Sequence, residues 1–180
     1  MTDESLMEAV KHGNLQQVSV LFERHHKAIF NFLAKMARDR ELAEDLTQNV
    51  FLRLIKYRNS YQEGKRFQSW LYQVARNVFS DHYQLNKKMY SKGMDVEKLK
   101  DTLADKNELH DQTEREVLLH KSLALLAHED RELLVLTRFE QMKYEDVAAV
   151  METTVANIKV KVHRAIGRLR QHYFELEKTN

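Results

Sequence analysis

An all-α protein built from two small helical domains joined by a flexible linker is what this sequence predicts, on three observations. The 180 residues include no Pro and only four Gly, the residues that punctuate sheets and tight turns and are the poorest helix formers. Apolar residues recur at steps of three and four in both halves of the chain, the spacing that places them on one face of a helix. Between the halves, residues 90–112 are polar, lightly acidic and weakly periodic. The expected division is 1–89, 90–112 and 113–180.

In the first half a short helix is expected near Ser5–His12, closed by a Gly13-Asn14 break. Leu15, Val18, Phe22, Ile29, Phe32 and Met36 then follow the buried face of a long helix, and Asp39-Arg40 interrupts it. The next helix carries Ala43, Leu46, Val50 and Leu54 as its buried stripe, widened by Phe51 and Ile55. From Arg58 to Arg66 the string RNSYQEGKR has no apolar period and reads as a loop. A third long helix starts near Phe67 and is expected to bury Phe67, Leu71, Val74, Val78 and Leu85.

The second half resumes helical spacing with Val117, Leu118, Leu123 and Leu126, then Leu133, Leu134 and Leu136. A short helix with Tyr144, Val147, Ala148 and Met151 at i, i+3, i+4 and i+7 comes next. After "ETT", Thr154 is the candidate N-cap of a last helix burying Val155, Ile158, Val162, Ile166 and Leu169. Asn157, Lys161, Arg164 and Arg168 fall on the side away from that stripe.

Composition removes several function classes. With 43% hydrophobic residues the chain can build a core, yet no run approaches the roughly 20 apolar residues of a membrane-spanning helix. The opening MTDESLMEAV lacks a basic leader and an apolar run, so a cytoplasmic protein is expected. Zero Cys excludes disulfides, thiolate nucleophiles and zinc sites with Cys ligands. The nine His are scattered without a metal-binding spacing, and His25-His26, adjacent on a helix, point about 100 degrees apart. No phosphate-binding glycine loop is present either. Neither an enzyme nor a metal or cofactor carrier is expected.

Charge is blocked along the chain. The net charge is only +2, but residues 1–90 carry 14 Lys and Arg against 10 Asp and Glu, whereas 113–152 carry five against nine. Between Thr153 and His172 stand Lys159, Lys161, Arg164, Arg168 and Arg170 without a single acid, a local field that attracts a polyanion. Two short helices joined by a tight turn, the second cationic, describe a helix-turn-helix whose second helix enters the major groove. Ala156, Asn157, Lys159, Val160 and His163 would reach base edges, while Lys161, Arg164, Arg168 and Arg170 suit phosphates or guanine. An ordinary helical hairpin with a basic solvated face is the alternative.

Three strings in this order resemble the extracytoplasmic-function sigma factors, the two-domain bacterial RNA polymerase sigma subunits. ELAEDLTQNVFLRLIK resembles their core-polymerase-binding helix, FQSWLYQVARNVFSDHYQ the helix beside the minus-ten element, and MKYEDVAAVMETTVANIKVKVHRAIGRLR the helix-turn-helix that reads the minus-thirty-five element. The resemblance runs from about Leu6 to Tyr173. It implies that Glu41, Glu44, Asp45 and Gln48 meet the clamp coiled coil of the polymerase's largest subunit. The alternative for these acids is stabilisation of their own helix start through the macrodipole.

Tyr61, Gly64, Lys65, Arg66 and Phe67 offer aromatic faces, amides and charge, the chemistry that holds an unstacked base and a single strand. The resemblance assigns the outward stripe Arg76, Ser80, Tyr83 and Lys87, with Asn77 and Lys88 beside it, to the melted minus-ten strand. Trp70 is either a stacking platform or a core aromatic. It assigns Thr154, Asn157, Lys159, Val160, Lys161, His163, Arg164 and Arg168 to the minus-thirty-five duplex. It further implies core RNA polymerase, promoter DNA and an anti-sigma factor as partners, a monomer when free, and an acidic linker threaded through the RNA exit channel.

The chain departs from the family pattern in three places. Glu152 stands where a Gly is common in the turn, Ala127-His128 where a Pro is common, and Lys143 replaces a hydroxylated N-cap. The residues alone leave two other readings open: a free-standing helix-turn-helix regulator, and a purely helical interaction module.

Overall fold

The structure is a computed structural model that describes residues 1–90 and 113–179, with side chains described to Lys87 in the first stretch. The chain divides into two compact helical units, one on either side of residues 91–112. The expected 90–112 linker therefore lies, but for Tyr90, outside the described residues.

Unit one begins with α1, Asp3–Lys11, capped by Thr2, whose hydroxyl accepts the Ser5 N–H. It buries Leu6, Met7 and Val10 and ends at Gly13, which holds φ +100°, a conformation that favours glycine. Helix α2, Gln17–Ala37, buries Leu21, Ile29, Phe32, Leu33 and Met36. Leu15 and Phe22, expected in its buried face, are not buried. Leu15 precedes the helix, and Phe22 rides at the edge of the stripe, stacked on His26 and set edge-on against Phe51.

Arg38 stops α2 in the left-handed conformation, and Asp39 immediately caps α3, Arg40–Lys56, through Leu42 N–H to its carboxylate at 3.0 Å. The break expected at Asp39-Arg40 is thus a C-cap followed at once by an N-cap. Helix α3 buries Ala43, Leu46, Val50, Phe51 and Leu54 as expected, and Ile55 is half-buried. A single 3₁₀ turn, Arg58–Ser60, opens the loop, and α4, Phe67–Tyr90, follows it.

In α4, Phe67, Leu71, Val78 and Phe79 are buried and Val74 half-buried, but Leu85, expected in the core, is 62% exposed. Phe79 is the last buried side chain described in α4, so the apolar spacing continues beyond the bundle that could cover it.

Unit two opens with α5, Glu114–Leu125, under a reciprocal capping box between Thr113 and Glu116. Its C-terminal carbonyls are met by Arg131 from the next helix, α6, His128–Leu134. The guanidinium donates to Leu123 at 3.3 Å, Ala124 at 2.9 Å and Leu126 at 3.2 Å. A π-turn, Val135–Phe139, leads to α7, Tyr144–Val150, and α8, Val155–Thr179. Leu133, Leu134, Val135, Leu136, Val147, Val150, Ile158, Val162 and Ala165 make the core. Val155, Ile166 and Leu169, expected there, are half-buried.

Lys143 gives α7 no side-chain cap, as the sequence predicts. The turn to α8 passes through Glu152 at φ +52°, the left-handed region, with Thr153 N–H returning to Ala148 O at 2.9 Å. Any residue with a Cβ is strained there by about 1–2 kcal/mol. Glu152 is exposed, so its side chain is not needed for packing. Glu152→Gly should therefore stabilise unit two by about 0.5–1 kcal/mol, the relief exceeding the entropy glycine adds to the unfolded chain. Urea unfolding followed by circular dichroism checks this; a destabilised variant would show the turn is not strained.

Candidate functional site

Three polar surfaces stand out, two on unit one and one on unit two. On α3, Glu41, Glu44, Asp45 and Gln48 are all exposed, and Glu44 pairs with Arg40 at 3.8 Å. They sit opposite Ala43, Leu46 and Val50, which pin the helix to its unit. Leu52, one turn beyond Gln48 and 65% exposed, adds an apolar element to that surface. In the sequence a leucine beside Phe51 and Leu54 looks like core, so only the fold reveals Leu52 as surface.

The second surface surrounds the loop before α4. Tyr61, expected to offer an aromatic face, is 1% exposed. Its ring meets Trp70 edge-on at 5.4 Å, and its hydroxyl donates to the Lys65 carbonyl at 2.6 Å. Tyr61 thus shapes the loop from beneath. Burial pushes its phenol up to about 12, helped by the nearby carboxylates of Glu4 and Glu8. Lys65 and Arg66 are exposed.

Trp70 is 8% exposed, packed on Tyr61 and Phe67, and also walls an open cavity of about 500 Å³. Of the predicted residues, the cavity brings together Lys65, Trp70 and Asn77. It adds Arg53, Tyr57 and Asp81, which the sequence reading missed; Arg53 and Asp81 form an ion pair at 2.7 Å that ties α3 to α4. Only their meeting across two helices reveals them. Ser80, Tyr83 and Lys87 lie exposed farther along α4, and Arg76 is half-buried. The side chain of Lys88 lies outside the described residues.

The third surface is α8. Thr154 caps it as predicted, its hydroxyl accepting the Asn157 N–H at 3.2 Å, and Asn157 donates its amide to the Thr153 hydroxyl at 3.1 Å. Ala156, Lys159, Val160 and His163 are exposed. The stripe of Lys161 and Arg168 does not point away from the unit, however. Lys161 pairs with Glu129 at 2.5 Å and Arg168 with Asp130 at 2.6 Å, so this flank of α8 faces the acidic first turn of α6. Lys159, Arg164 and Arg170 have no ion pair among the described residues. A cationic helix presented by a tight turn, with small and apolar residues at its exposed centre, suits the major groove.

Comparison with known proteins decides the family. Residues 21–89 match the family described as Sigma-70 region 2, and residues 116–169 match Sigma-70, region 4. RNA polymerase sigma factor CarQ of Myxococcus xanthus is 32% identical over 173 residues, covering 95% of this chain and 97% of that protein. The ECF RNA polymerase sigma factor SigM of Bacillus subtilis (strain 168) is 30% identical over 156 residues, covering 87% and 94%. This chain belongs to the extracytoplasmic-function RNA polymerase sigma factors.

The fold agrees. CnrH, solved in complex with the cytosolic domain of CnrY, aligns at TM-score 0.69 and 19% identity over 94% of this chain and 95% of that one. The sigma factor RpoE, solved with the anti-sigma factor NepR from Bartonella quintana, aligns at 0.67 and 21% over 86% and 94%. Sigma factors are transcription initiation factors and carry out no catalysis of their own. In this sigma factor the region 2 match spans α2 to α4 and holds the first two surfaces, and the region 4 match holds the third. No helix among the described residues is long and apolar enough to cross a membrane.

Tyr61 makes the loop geometry measurable. Its folded pKa lies above the ordinary value of 10.0, so the folded state keeps its proton longer than the unfolded state does. Stability is unaffected below pH 10 and should fall as pH rises from 10 toward 12, by about 2–3 kcal/mol in all. Tyr61→Phe should lose about 1 kcal/mol at neutral pH, for the missing bond to Lys65, yet lack that alkaline slope. Urea unfolding of both proteins at several pH values tests the pair; parallel slopes would place the phenol in water.

The acids of α6 make a second prediction. Isosteric Glu129→Gln with Asp130→Asn, which removes both negative charges, should release Lys161 and Arg168 to phosphates. Duplex affinity at low salt should rise, and the log–log salt dependence should steepen by up to about two contacts' worth. Fluorescence anisotropy with labelled duplex across a salt series measures it, and an unchanged slope and affinity would mean the pairs are irrelevant to DNA.

Proposed function

We propose that this sigma factor binds core RNA polymerase through α3, reads the minus-thirty-five duplex with α8, and captures the melted minus-ten strand at the loop and cavity before α4. The observation that carries this is the meeting of Lys65, Trp70 and Asn77 around one open cavity, beside the further polar side chains that α4 exposes. An extruded base needs an aromatic wall and polar edges, and its strand needs cations nearby.

Opening then follows from linkage. A surface that holds the unpaired strand and has little affinity for the paired one shifts the duplex equilibrium by that difference. The residues divide the work: Glu41, Glu44, Asp45 and Gln48, with Leu52, face polymerase; Lys65, Arg66, Trp70, Arg76, Asn77, Ser80 and Lys87 serve the minus-ten strand, with Tyr61 supporting the loop. Asn157, Lys159, Val160, His163 and Arg164 serve the minus-thirty-five duplex, with Thr154 capping the helix that carries them. Lys161 and Arg168 join them when phosphate competes with Glu129 and Asp130. On this reading 1–89 is the polymerase and minus-ten module, 113–180 the minus-thirty-five module, and 90–112 their connection.

The structurally similar RpoE was solved in complex with the anti-sigma factor NepR, which supports an anti-sigma partner for this chain as well. The protein acts in the cytoplasm as a monomer until it meets polymerase.

The test is transcription in vitro with sigma-free core polymerase on a library of randomised promoters. Specific starts preceded by two enriched elements are expected. Asp45→Lys with Gln48→Ala should abolish polymerase association while leaving helicity and thermal unfolding unchanged. Sequence-specific duplex binding by the chain alone, with no transcripts, would instead establish a free-standing regulator.

A further inference from the structure

Helix α1 lies outside the segment that matches region 2, yet it is bonded to both ends of the loop that region 2 places before α4. At one end the Lys11 ammonium donates to the Tyr61 carbonyl at 2.9 Å. At the other, the Phe67 N–H, an orphan donor of the first turn of α4, is accepted by Glu4 at 3.2 Å, from 63 residues away in the chain. The residue before α4 is Arg66, which cannot cap as Asp or Ser would, so a carboxylate supplied by α1 does that work and meets the positive end of the helix dipole.

Beneath these two bonds the contact is apolar. Leu6, Met7 and Val10 of α1 are buried, as are Tyr61 and Phe67, and Tyr61 returns its hydroxyl to the Lys65 carbonyl inside the loop. His25 of α2 sets its ring edge-on against Phe67 at 5.2 Å and bonds Asp3 of α1 at 2.7 Å, which also accepts from Arg24 at 2.8 Å. The result is a closed circuit: α2 holds α1, α1 holds residues 61 and 67, and between those two anchors stand the exposed Lys65 and Arg66. Displacing α1 frees both anchors at once.

We propose that α1 positions the strand-capturing loop, with Lys11 and Glu4 as positioning residues that act through Tyr61 and Phe67 rather than by contact with DNA. This rests on the strand-capture reading above. It assigns a function to a helix that carries none of the residues facing polymerase or promoter in that reading. It also separates promoter opening from promoter binding within one chain, because the polymerase surface on α3 and the reading helix α8 do not depend on either bond.

The chain has a single tryptophan, Trp70, on the wall of the cavity that the loop borders, and this gives a readout that needs neither polymerase nor DNA. In the free full-length protein, Lys11→Met and Glu4→Gln should each increase acrylamide quenching of Trp70, whereas Lys11→Arg, which keeps a donor, should restore the parent value. Lys11→Met keeps an aliphatic stem, and Glu4 is exposed, so both variants should retain helicity and cooperative unfolding.

With core polymerase, the same two variants should bind polymerase and minus-thirty-five duplex like the parent. Open complexes, measured by permanganate reactivity of minus-ten thymines, should fall about tenfold or more, as a displacement on the order of 1 Å of a positioned group does elsewhere. Unchanged quenching and unchanged opening in both variants would overturn the proposal. Equal losses of opening and of polymerase binding would also overturn it, since they indicate general unfolding of the unit. If the parent itself opened no promoter while the quenching changes appeared, the strand-capture reading would fall, and with it the role given to α1.

Discussion

Burial of Tyr61 and Phe67 anchors both ends of the exposed loop 62–66, and the direction of every polar group on α4 follows from where that helix begins. A loop of polar residues has no reason to hold one conformation in water, because each ordered residue costs about 1–2 kcal/mol of backbone entropy. Here two aromatic side chains in the core offset that cost at the ends, and the Tyr61 hydroxyl reaches the Lys65 carbonyl to hold the middle. Lys65 and Arg66 can then stay solvated while their backbone is held. Trp70, one turn into α4, packs against the same pair and also lines the open cavity.

Unit two solves a different problem, that of offering a cationic helix to a polyanion without self-repulsion. The five cations between Thr153 and His172 would raise a strong field, and α6 tempers it by pairing two of them with the acids of its first turn. Those acids are doubly placed, since carboxylates at a helix start also meet its positive dipole end. Lys159, Arg164 and Arg170 are left for a partner. Exposed pairs of this kind stabilise a fold by about 0–1 kcal/mol, so their main effect is on the field around α8 and not on stability.

Helices α1, α3, α5 and α8 are capped by neighbouring residues, whereas α4 takes a carboxylate from α1. In unit two the caps are local: Thr113 with Glu116, and Thr154 with Asn157. In unit one the start of α4 depends on a carboxylate from the other end of the domain, and the end of α5 in unit two on the guanidinium of Arg131 in the following helix. Local caps let a helix form early and independently; distant ones make it conditional on tertiary packing. Helix α4 is the conditional one, and α8 is not.

The sequence by itself determined the helices, their order and the family. The missing prolines and the three-and-four spacing report local geometry, as do the Asp39 and Thr154 caps. The expected core residues of α3 are buried but for the half-buried Ile55, and those of α7 and α8 are all buried or half-buried, since a helix face is a property of spacing alone. Spacing, however, says nothing about where a neighbouring helix stops. That is why Leu85 looks like core but lies on a helix that outruns its bundle, and why Leu52 looks like core but faces water. Tertiary structure alone decided that Tyr61 supports the loop from below, that Arg53 and Asp81 border the cavity with Trp70, and that Lys161 and Arg168 turn toward α6. The ion pairs among them join residues 28 to 38 positions apart in the chain, and only packing can bring such residues together.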